Sequence, residues 1–443
     1  MFLSEFSLKN GAAVLVWAGL TFSSFSSFSQ KLSAGTPESA GMSSERLKRV
    51  DRILQSFVDE ERVAGAIGFV ARNGKIVYHK SFGYNDLEAR TPLSKDAIVR
   101  IASQTKAITS AAIMLLYEEG HFLLDDPVSR YLPSFAHPKV LETFNPGDST
   151  YTARPAKREI TIRDLLTHTS GIGYAVIGTK EANAIYAKHN IPVGLEGPSA
   201  SLKEVMERLG GLPLFHEPGT RYLYGLNSDV LGYLVEVISG KTLADFFRER
   251  LFKPLGMDDT YFNLPLQKQE RLAVLYTENA DRKTVKVSDH GSPLAKDGKM
   301  LENYPRSNGT YFSGGAGLSS TAYDYAMFLQ MLLNRGRYNG HQIMSPTTVK
   351  MFTANQIGHL TEGKNNFSLG FGITTEAQAL KLPMAAGTFD WGGAFGTQYW
   401  VDPVEGIVGV VITQKQPSSW GGELSGKFKA AVYQAITQSN QPH

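Results

Sequence analysis

The pattern of hydrophobic positions predicts two kinds of element near the start of the chain. Leu47, Val50 and Leu54 recur three or four residues apart, a spacing typical of the buried face of an α-helix. Residues 63–71 and 75–82 are strand-like, and the Asn-Gly pair between them favours a tight type I′ turn. The sequence therefore predicts an amphipathic helix followed by a β-hairpin.

The next pattern is an apolar run over residues 107–117, which predicts a helix that is buried on all sides. Its first turn carries Lys106, a costly place for a charged group unless the amine has a function or a route to water. Residues 103–106 are Ser-Gln-Thr-Lys, so Ser103 and Lys106 would lie side by side on the helix. This arrangement is typical of a serine nucleophile beside a lysine base.

The expected chemistry depends on the charge of that lysine. Burial and the positive end of the helix dipole both favour a neutral amine. We therefore expect Lys106 to be uncharged and able to accept the proton of Ser103, whose own backbone N–H would face a developing oxyanion. A lone Ser-x-x-Lys also arises by chance on solvated helix faces, so this pattern alone leaves the catalytic and the structural interpretations equally open.

Helical patterns dominate the middle of the chain, and strand patterns return near its end. The helical segments start near residues 161, 201 and 228, whereas residues 398–401 and 407–413 are typical of paired strands. Strands at both ends with helices between them predict an α+β fold. It would have one antiparallel sheet built from both termini, flanked by helices, with an inserted and mostly helical subdomain.

Further helical and irregular segments complete this prediction. Residues 322–333 and 427–436 are predicted to be helices, the second closing the chain. The weak periodicity of residues 177–198 indicates an insertion or lid. Residues 265–310 are polar and irregular, with a short strand expected at 273–276.

Composition excludes several classes of function. The 443 residues are 42% hydrophobic and 20% charged, an ordinary globular balance. A net charge of +3, spread evenly, does not indicate a nucleic-acid partner. The chain has no cysteine, which excludes disulfides and thiolate catalysis, and its ten histidines include no His-x-x-x-His pair. We expect no metal and no organic cofactor.

The first residues resemble an export signal. Lys9 precedes an apolar stretch at residues 11–20, and small residues follow up to a plausible cleavage site after residue 29. We expect residues 1–29 to be a signal peptide and the mature protein to be exported, either periplasmic or secreted. The apolar stretch is too short for a stable membrane span. The alternatives are an uncleaved anchor or a disordered tail.

A second feature lies around a Pro-Gly turn at residues 218–219, after which an apolar helix begins. Tyr222 and Tyr224 stand between the turn and the helix. A tyrosine in this place could project into a cleft, although on this pattern alone both are better interpreted as core aromatics.

Three motifs occur together in one order, and together they identify a family. They are residues 103–106 (Ser-Gln-Thr-Lys), residues 165–172 (Leu-Leu-Thr-His-Thr-Ser-Gly-Ile), and residues 218–220 (Pro-Gly-Thr) with Tyr224. This combination resembles the serine β-lactamase and penicillin-binding-protein superfamily. The chain is most similar to its class C-like branch, which includes the family VIII esterases, and the resemblance runs from about residue 40 to 435.

The resemblance implies a domain plan and a set of site residues. One hydrolase domain would cover residues 40–435, with an α/β part at about 40–120 and 310–435 and a helical subdomain at about 121–309. Ser103 would be the nucleophile, with Lys106 and Tyr224 as general base and acid. The family's third motif, on an edge strand that faces the nucleophile, would here supply the following oxyanion and substrate-binding residues: Trp391, Gly392, Gly393 and Ala394.

Two departures from the family pattern bear on the substrate. Lactam-hydrolysing members carry Tyr-x-Asn, whereas here Leu226 is third and Asn227 comes one place late. Their third motif begins with lysine or histidine, which helps to hold a substrate carboxylate. Trp391 cannot do so, and its apolar face fits a neutral acyl or alkyl group better. Both changes resemble the esterase and acyltransferase branch.

The sequence therefore predicts a serine hydrolase acting through an acyl-enzyme, most simply a carboxylesterase or acyltransferase on small ester substrates. A β-lactamase, D-amino-acid peptidase or transpeptidase remains open, with an amide as substrate, as does a non-catalytic binding protein that kept the fold. The absence of any Gly-x-Ser-x-Gly disfavours a Ser-His-Asp triad. His168 is expected to brace its loop through hydrogen bonds. The oligomeric state cannot be read from the sequence.

Overall fold

The computed structural model describes residues 31–195, 200–295, 298–360 and 366–440. The expected signal peptide at residues 1–29 lies outside the described residues. In the part of the chain that is described, no helix has both the length and the apolar character needed to cross a membrane.

The central sheet combines strands from both ends of the chain, as predicted. Its order is β1-β3-β2-β16-β15-β14-β13, with β4 paired to β3, and all neighbours except β1 and β3 are antiparallel. The strands within the described residues are β1 Ser33–Ala34, β2 Gly65–Arg72, β3 Lys75–Asp86, β4 Thr91–Pro92, β5 Val99–Arg100, β6 Lys139–Phe144, β7 Tyr151–Pro155, β8 Tyr276–Glu278, β9 Thr284–Lys286, β10 Ser319–Ser320, β11 Arg337–Tyr338, β12 His341–Gln342, β13 Gly372–Ile373, β14 Phe389–Gly393, β15 Thr397–Asp402 and β16 Ile407–Ile412.

Helices cover both faces of this sheet, which confirms the α+β class. The α-helices are α1 Ser44–Asp59, α2 Thr105–Glu118, α3 Ile162–Leu166, α4 Lys180–Lys188, α5 Leu202–Gly210, α6 Asn227–Ser239, α7 Leu243–Phe247, α8 Lys253–Leu255, α9 Val287–His290, α10 Gly298–Asn303, α11 Ala322–Leu333, α12 Pro346–Thr353, α13 Glu376–Ala379 and α14 Gly421–Gln434.

The two faces of the sheet are separated by the alternation of side chains along each strand. In β2, Ala66 and Val70 pack into a core with α1 and α14. Ile67 and Phe69 point the other way, into the larger core that contains α2 and α11. This second core carries the predicted active-site helix, and α2 is buried along almost its whole length.

The first predicted elements are confirmed. The buried positions of α1 are Leu47, Val50, Leu54 and Phe57, the face that the helical spacing indicates. In the turn between β2 and β3, Asn73 and Gly74 both have positive φ, at 51° and 76°. A type I′ hairpin turn needs this conformation at both central positions.

The middle of the chain differs from the prediction at three places. The helices α3, α5 and α6 lie where they were expected, but β6 and β7 form an antiparallel hairpin that the sequence did not reveal. Most residues of this hairpin are at least partly exposed, so no alternating apolar pattern marks it. The segment interpreted as an insertion or lid contains α4. In the segment 265–310, the strand expected at 273–276 is displaced to β8, which begins at Tyr276, and β9, α9 and α10 follow it.

The last part of the chain follows the prediction closely. The strands β15 and β16 pair antiparallel, and α11 has the predicted bounds. The final helix is longer than expected, because α14 begins at Gly421 rather than at Lys427. Two glycines at its start, which are poor helix formers, concealed its first turn.

Candidate active site

A short turn presents Ser103 at the start of the buried helix. Residues Ala102–Gln104 form a 3₁₀ turn that leads directly into α2. Ala102 has a φ of 42°, in the left-handed region that a non-glycine residue enters only when its surroundings enforce it. Ala102 and Gln104 are buried, whereas Ser103 between them is partly exposed. The turn therefore leaves the hydroxyl of Ser103 accessible.

The amine of Lys106 lies beside that hydroxyl, as predicted. Its Nζ is 3.4 Å from Ser103 Oγ, 2.9 Å from the Tyr174 hydroxyl and 2.7 Å from the carbonyl oxygen of Gly315. The side chain is only 3% exposed. An ammonium has three N–H donors, and these three oxygens match them one for one.

The expected neutral state of Lys106 is wrong. Burial lowers the pKa of the amine, but the phenols of Tyr174 and Tyr224 favour its charged form by more, so the pKa lies above its ordinary value. The prediction counted desolvation and the helix dipole but not these neighbours. Lys106 is therefore a buried ammonium that donates hydrogen bonds.

Tyr224 completes the group that the sequence predicted. Its ring centroid is 4.7 Å from Lys106 Nζ, and the ring also contacts His168 at 4.8 Å and Trp391 at 5.7 Å between centroids. The Tyr224 hydroxyl is buried and has no hydrogen-bond partner among the described residues. A buried hydroxyl without a partner is rare, and this one lies in the site, free to bond a substrate.

Tyr174 is not predicted from the sequence, because this residue belongs to none of the three family motifs. It is 5% exposed, its hydroxyl accepts a hydrogen bond from Lys106, and its ring lies 5.5 Å from that of Tyr224. Burial raises the pKa of the Tyr174 phenol, although the nearby ammonium opposes this. The only signal in the sequence is its place two residues after the Leu-Leu-Thr-His-Thr-Ser-Gly-Ile motif.

His168 braces the loop, as the sequence predicted. Its Nδ1 accepts from the side-chain amide of Asn227 at 2.9 Å and faces the backbone N–H of Gly225 at 3.4 Å. Burial, reinforced by the charge of Lys106, lowers the pKa of His168 well below its usual range, so the ring is neutral. Because Nδ1 accepts from a backbone N–H, the ring proton is assigned to Nε2.

The side-chain amide of Asn227 holds His168 in place. Its side chain is fully buried, and its Oδ1 accepts a hydrogen bond from the hydroxyl of Ser170. With both ends of its amide in use, Asn227 does not replace the asparagine that lactam-hydrolysing relatives carry two places after the tyrosine. The structure therefore agrees with the sequence difference at Leu226, which stands where lactam-hydrolysing relatives have an asparagine.

The predicted third motif packs against the nucleophile turn. A Cβ atom on Gly393 would lie 2.2 Å from the carbonyl oxygen of Ile101, so only glycine allows β14 to approach the start of α2 so closely. Strand β13 pairs with Phe389 and Asp390 alone. Trp391, Gly392 and Gly393 are thus on the open edge of the described sheet, and Ala394 lies in the turn that follows β14.

An aromatic wall borders the site on the side of the third motif. It consists of Trp391, Phe367 and Tyr222, with ring centroids 5.1 Å apart for Trp391 and Phe367 and 5.5 Å apart for Phe367 and Tyr222. Trp391 and Tyr222 are partly exposed. The wall is apolar where lactam-hydrolysing relatives place a cation. Among the described residues, no cluster of three or more histidine, aspartate or glutamate side chains could hold a metal ion.

Comparisons with known proteins show the family of the chain. The Beta-lactamase family model matches residues 50–434. Esterase EstB of Burkholderia gladioli is 31% identical over 394 residues, which cover 87% of this chain and 94% of EstB. Protein Rv1367c of Mycobacterium tuberculosis is 33% identical over 399 residues, covering 86% of this chain and 91% of that protein.

A solved structure extends the likeness to three dimensions. It is that of EstCE1, a hydrolase with promiscuous acyltransferase activity, which matches with a TM-score of 0.75 at 28% identity and covers 88% of this chain and 98% of its own. The family match, the fold and the pairing of Ser103 with Lys106 point to one conclusion: the chain belongs to the β-lactamase family and is a serine hydrolase.

Proposed function

We propose that this hydrolase is a carboxylesterase or acyltransferase that acts on small, neutral esters through an acyl-enzyme on Ser103. The observation that carries the proposal is the apolar wall at Trp391, in the place where a cation would hold a substrate carboxylate. EstB and EstCE1 carry esterase and acyltransferase names, which supports the same class of substrate. The side-chain amide of Asn227 is already hydrogen-bonded to Ser170 and His168, which argues in addition against β-lactams as substrates.

The proposed acylation uses the hydrogen bonds around Lys106. Since the ammonium donates to Ser103 Oγ, the proton of Ser103 is free to leave. An ammonium has no free electron pair, so Lys106 does not take up that proton while it is charged. Tyr224 is the group that does so: its hydroxyl first releases its own proton to solvent, and the phenolate that remains, stabilised by the adjacent ammonium, accepts the proton of Ser103.

The remaining steps follow from the balance of atoms. Ser103 Oγ bonds to the ester carbonyl, and the backbone N–H groups of Ser103 and Ala394 hold the oxyanion. Tyr224 then returns the proton to the leaving alcohol as the carbon–oxygen bond breaks. Water, or a second alcohol, attacks the acyl-enzyme and releases Ser103. No metal or organic cofactor takes part.

Steady-state kinetics on p-nitrophenyl butyrate test the nucleophile. Ser103→Ala should lower kcat/KM by on the order of 10⁴-fold or more, because the acyl-enzyme cannot form. Ser110→Ala in the same helix is the matched control and should retain wild-type activity. Full activity of Ser103→Ala would contradict the assignment, and nitrocefin turnover faster than ester turnover would favour the β-lactamase alternative.

We propose further that the protein is exported, with residues 1–29 removed. Lys9 followed by the apolar stretch at residues 11–20 supports this. Cell fractionation and N-terminal sequencing of the mature protein test it. A start near residue 30 in the exported fraction is expected, and an intact N-terminus in the cytoplasm would contradict it.

A further inference from the structure

A carboxyl group that the proposed mechanism does not use is buried in the same site. Asp229 lies in the first turn of α6 and is 1% exposed. Its Oδ1 accepts from Ser313 Oγ at 2.6 Å and from the Tyr311 hydroxyl at 3.4 Å. Its Oδ2 has no hydrogen bond within the described part of the chain. A buried carboxylate is costly unless a positive charge or further donors compensate it.

Gly315 brings Asp229 and Lys106 together. Its carbonyl oxygen accepts from Lys106 Nζ at 2.7 Å. Burial raises the pKa of Asp229, while the hydroxyl of Ser313, the charge of Lys106 and the backbone N–H of Gly315 favour its charged form. A Cβ atom on Gly315 would lie 2.5 Å from Asp229 Oδ2 and 3.4 Å from Lys106 Nζ. The two charged atoms are thus within about 6 Å of each other, a range over which opposite charges stabilise one another.

We propose that Asp229 is a positioning residue, the buried counter-ion that holds Lys106 as an ammonium directed at Ser103. Asp229 touches neither the nucleophile nor the substrate, and it acts through Lys106 and the peptide of Gly315. The proposal rests on the acyl-enzyme function and deepens it, since it names the negative charge that keeps Lys106 an ammonium beside Ser103 and Tyr224.

The other ionisable groups around the pair do not supply this charge. Tyr174 and Tyr224 face Lys106, and their phenols are neutral until they release a proton. His168 is neutral because it is buried next to Lys106. Tyr311 faces Asp229 as a hydrogen-bond donor. Asp229 is thus the carboxyl group, among the described residues, whose charged form Lys106 favours.

The pH dependence of serine labelling gives the first test. Asp229→Asn removes a negative charge, so the lysine and tyrosine lose their shared proton at lower pH. The acid limb of the rate of Ser103 labelling by a fluorophosphonate probe should therefore move to lower pH by about one unit. A purely structural role would leave this limb in place.

Asp324→Asn is the matched control. Asp324 is likewise buried and in the first turn of a helix, but it accepts from Thr260 and from the backbone N–H of Asp259 rather than facing Lys106. It should lower stability without moving the acid limb. If Asp229→Asn behaves like Asp324→Asn, with a lower melting temperature and an unmoved limb, the proposal is overturned.

A comparison of the free energies of unfolding of Lys106→Met and of the double variant Lys106→Met/Asp229→Asn keeps the proposal testable even if Asp229→Asn alone does not fold or the wild type is not labelled. Lys106→Met leaves Asp229 without its counter-ion and should destabilise the protein. Adding Asp229→Asn to that variant should restore part of the loss, because it removes the uncompensated buried charge. A double variant that is no more stable than Lys106→Met would show that the two charges do not support each other.

Discussion

Two buried clusters in the described part of this protein each combine a positive and a negative side chain. They differ in how many of their polar atoms form hydrogen bonds. In the first cluster, Arg72 is fully buried and all five of its N–H groups donate hydrogen bonds. Two go to Glu405, one to its backbone oxygen and one to its carboxylate at 2.7 Å. The other three go to the carbonyl oxygens of Ala40, Gly41 and Gln438. Arg72 therefore ties the central sheet to both ends of the described chain.

The second cluster, at the active site, keeps unused groups. Lys106 and Asp229 are linked through the peptide of Gly315 rather than by a direct ion pair, and the Tyr224 hydroxyl and Asp229 Oδ2 have no hydrogen-bond partner among the described residues. The comparison shows two uses of buried charge. A saturated cluster fixes geometry, and an incomplete one retains groups that can exchange a proton with a substrate.

The largest effect should come from breaking the saturated cluster. Arg72→Met leaves the buried carboxylate of Glu405 uncompensated and should cost about 3–5 kcal/mol of the free energy of unfolding. Urea denaturation followed by fluorescence measures this loss. The folded fraction should keep its kcat/KM on p-nitrophenyl butyrate, and a specific loss of activity without a loss of stability would contradict the division between the two clusters.

The second prediction compares the two tyrosines of the incomplete cluster. Tyr224→Phe removes the group that moves the proton and should lower kcat/KM by about 10²–10³-fold. Tyr174→Phe removes only one acceptor of the ammonium, a bond worth about 1.5 kcal/mol or more, so a loss of roughly tenfold is expected. The reverse order, measured on the same ester, would assign the proton transfer to Tyr174 instead.

The smallest effect should come from the aromatic wall. Trp391→Ala removes apolar contact with the substrate but none of the reacting groups, so KM for p-nitrophenyl butyrate should rise severalfold with kcat little changed. The change should be smaller for p-nitrophenyl acetate, because its acyl group buries less apolar area. An equal effect on both esters would place the acyl group away from Trp391.

Much of the fold can be predicted from the sequence, because its helices and strands bury the same face along their length and so produce a regular pattern of apolar residues. The buried side of α1 and the wholly buried α2 each leave an apolar pattern, and the Asn-Gly turn marks the hairpin between β2 and β3. The hairpin of β6 and β7 is held by backbone hydrogen bonds on a partly exposed surface, so no hydrophobic pattern reveals it.

The site was only partly readable for a different reason. Ser103 and Lys106 are three residues apart, so local spacing predicts their contact, and Tyr224 came from the resemblance to a family. The partners Tyr174 and Gly315 are 68 and 209 residues away from Lys106 in the sequence. No local pattern joins them, and the charge state of Lys106 is mispredicted because the hydroxyl groups of Tyr174 and Tyr224 raise its pKa.

The most direct test of the account is covalent labelling of the folded wild-type protein with a fluorophosphonate, followed by intact-protein mass spectrometry and peptide mapping. The account predicts one adduct per chain, on Ser103, formed in parallel with the loss of ester hydrolysis and absent from Ser103→Ala. An adduct on another residue, or complete loss of hydrolysis with Ser103 unmodified, would contradict the acyl-enzyme on which every proposed step depends.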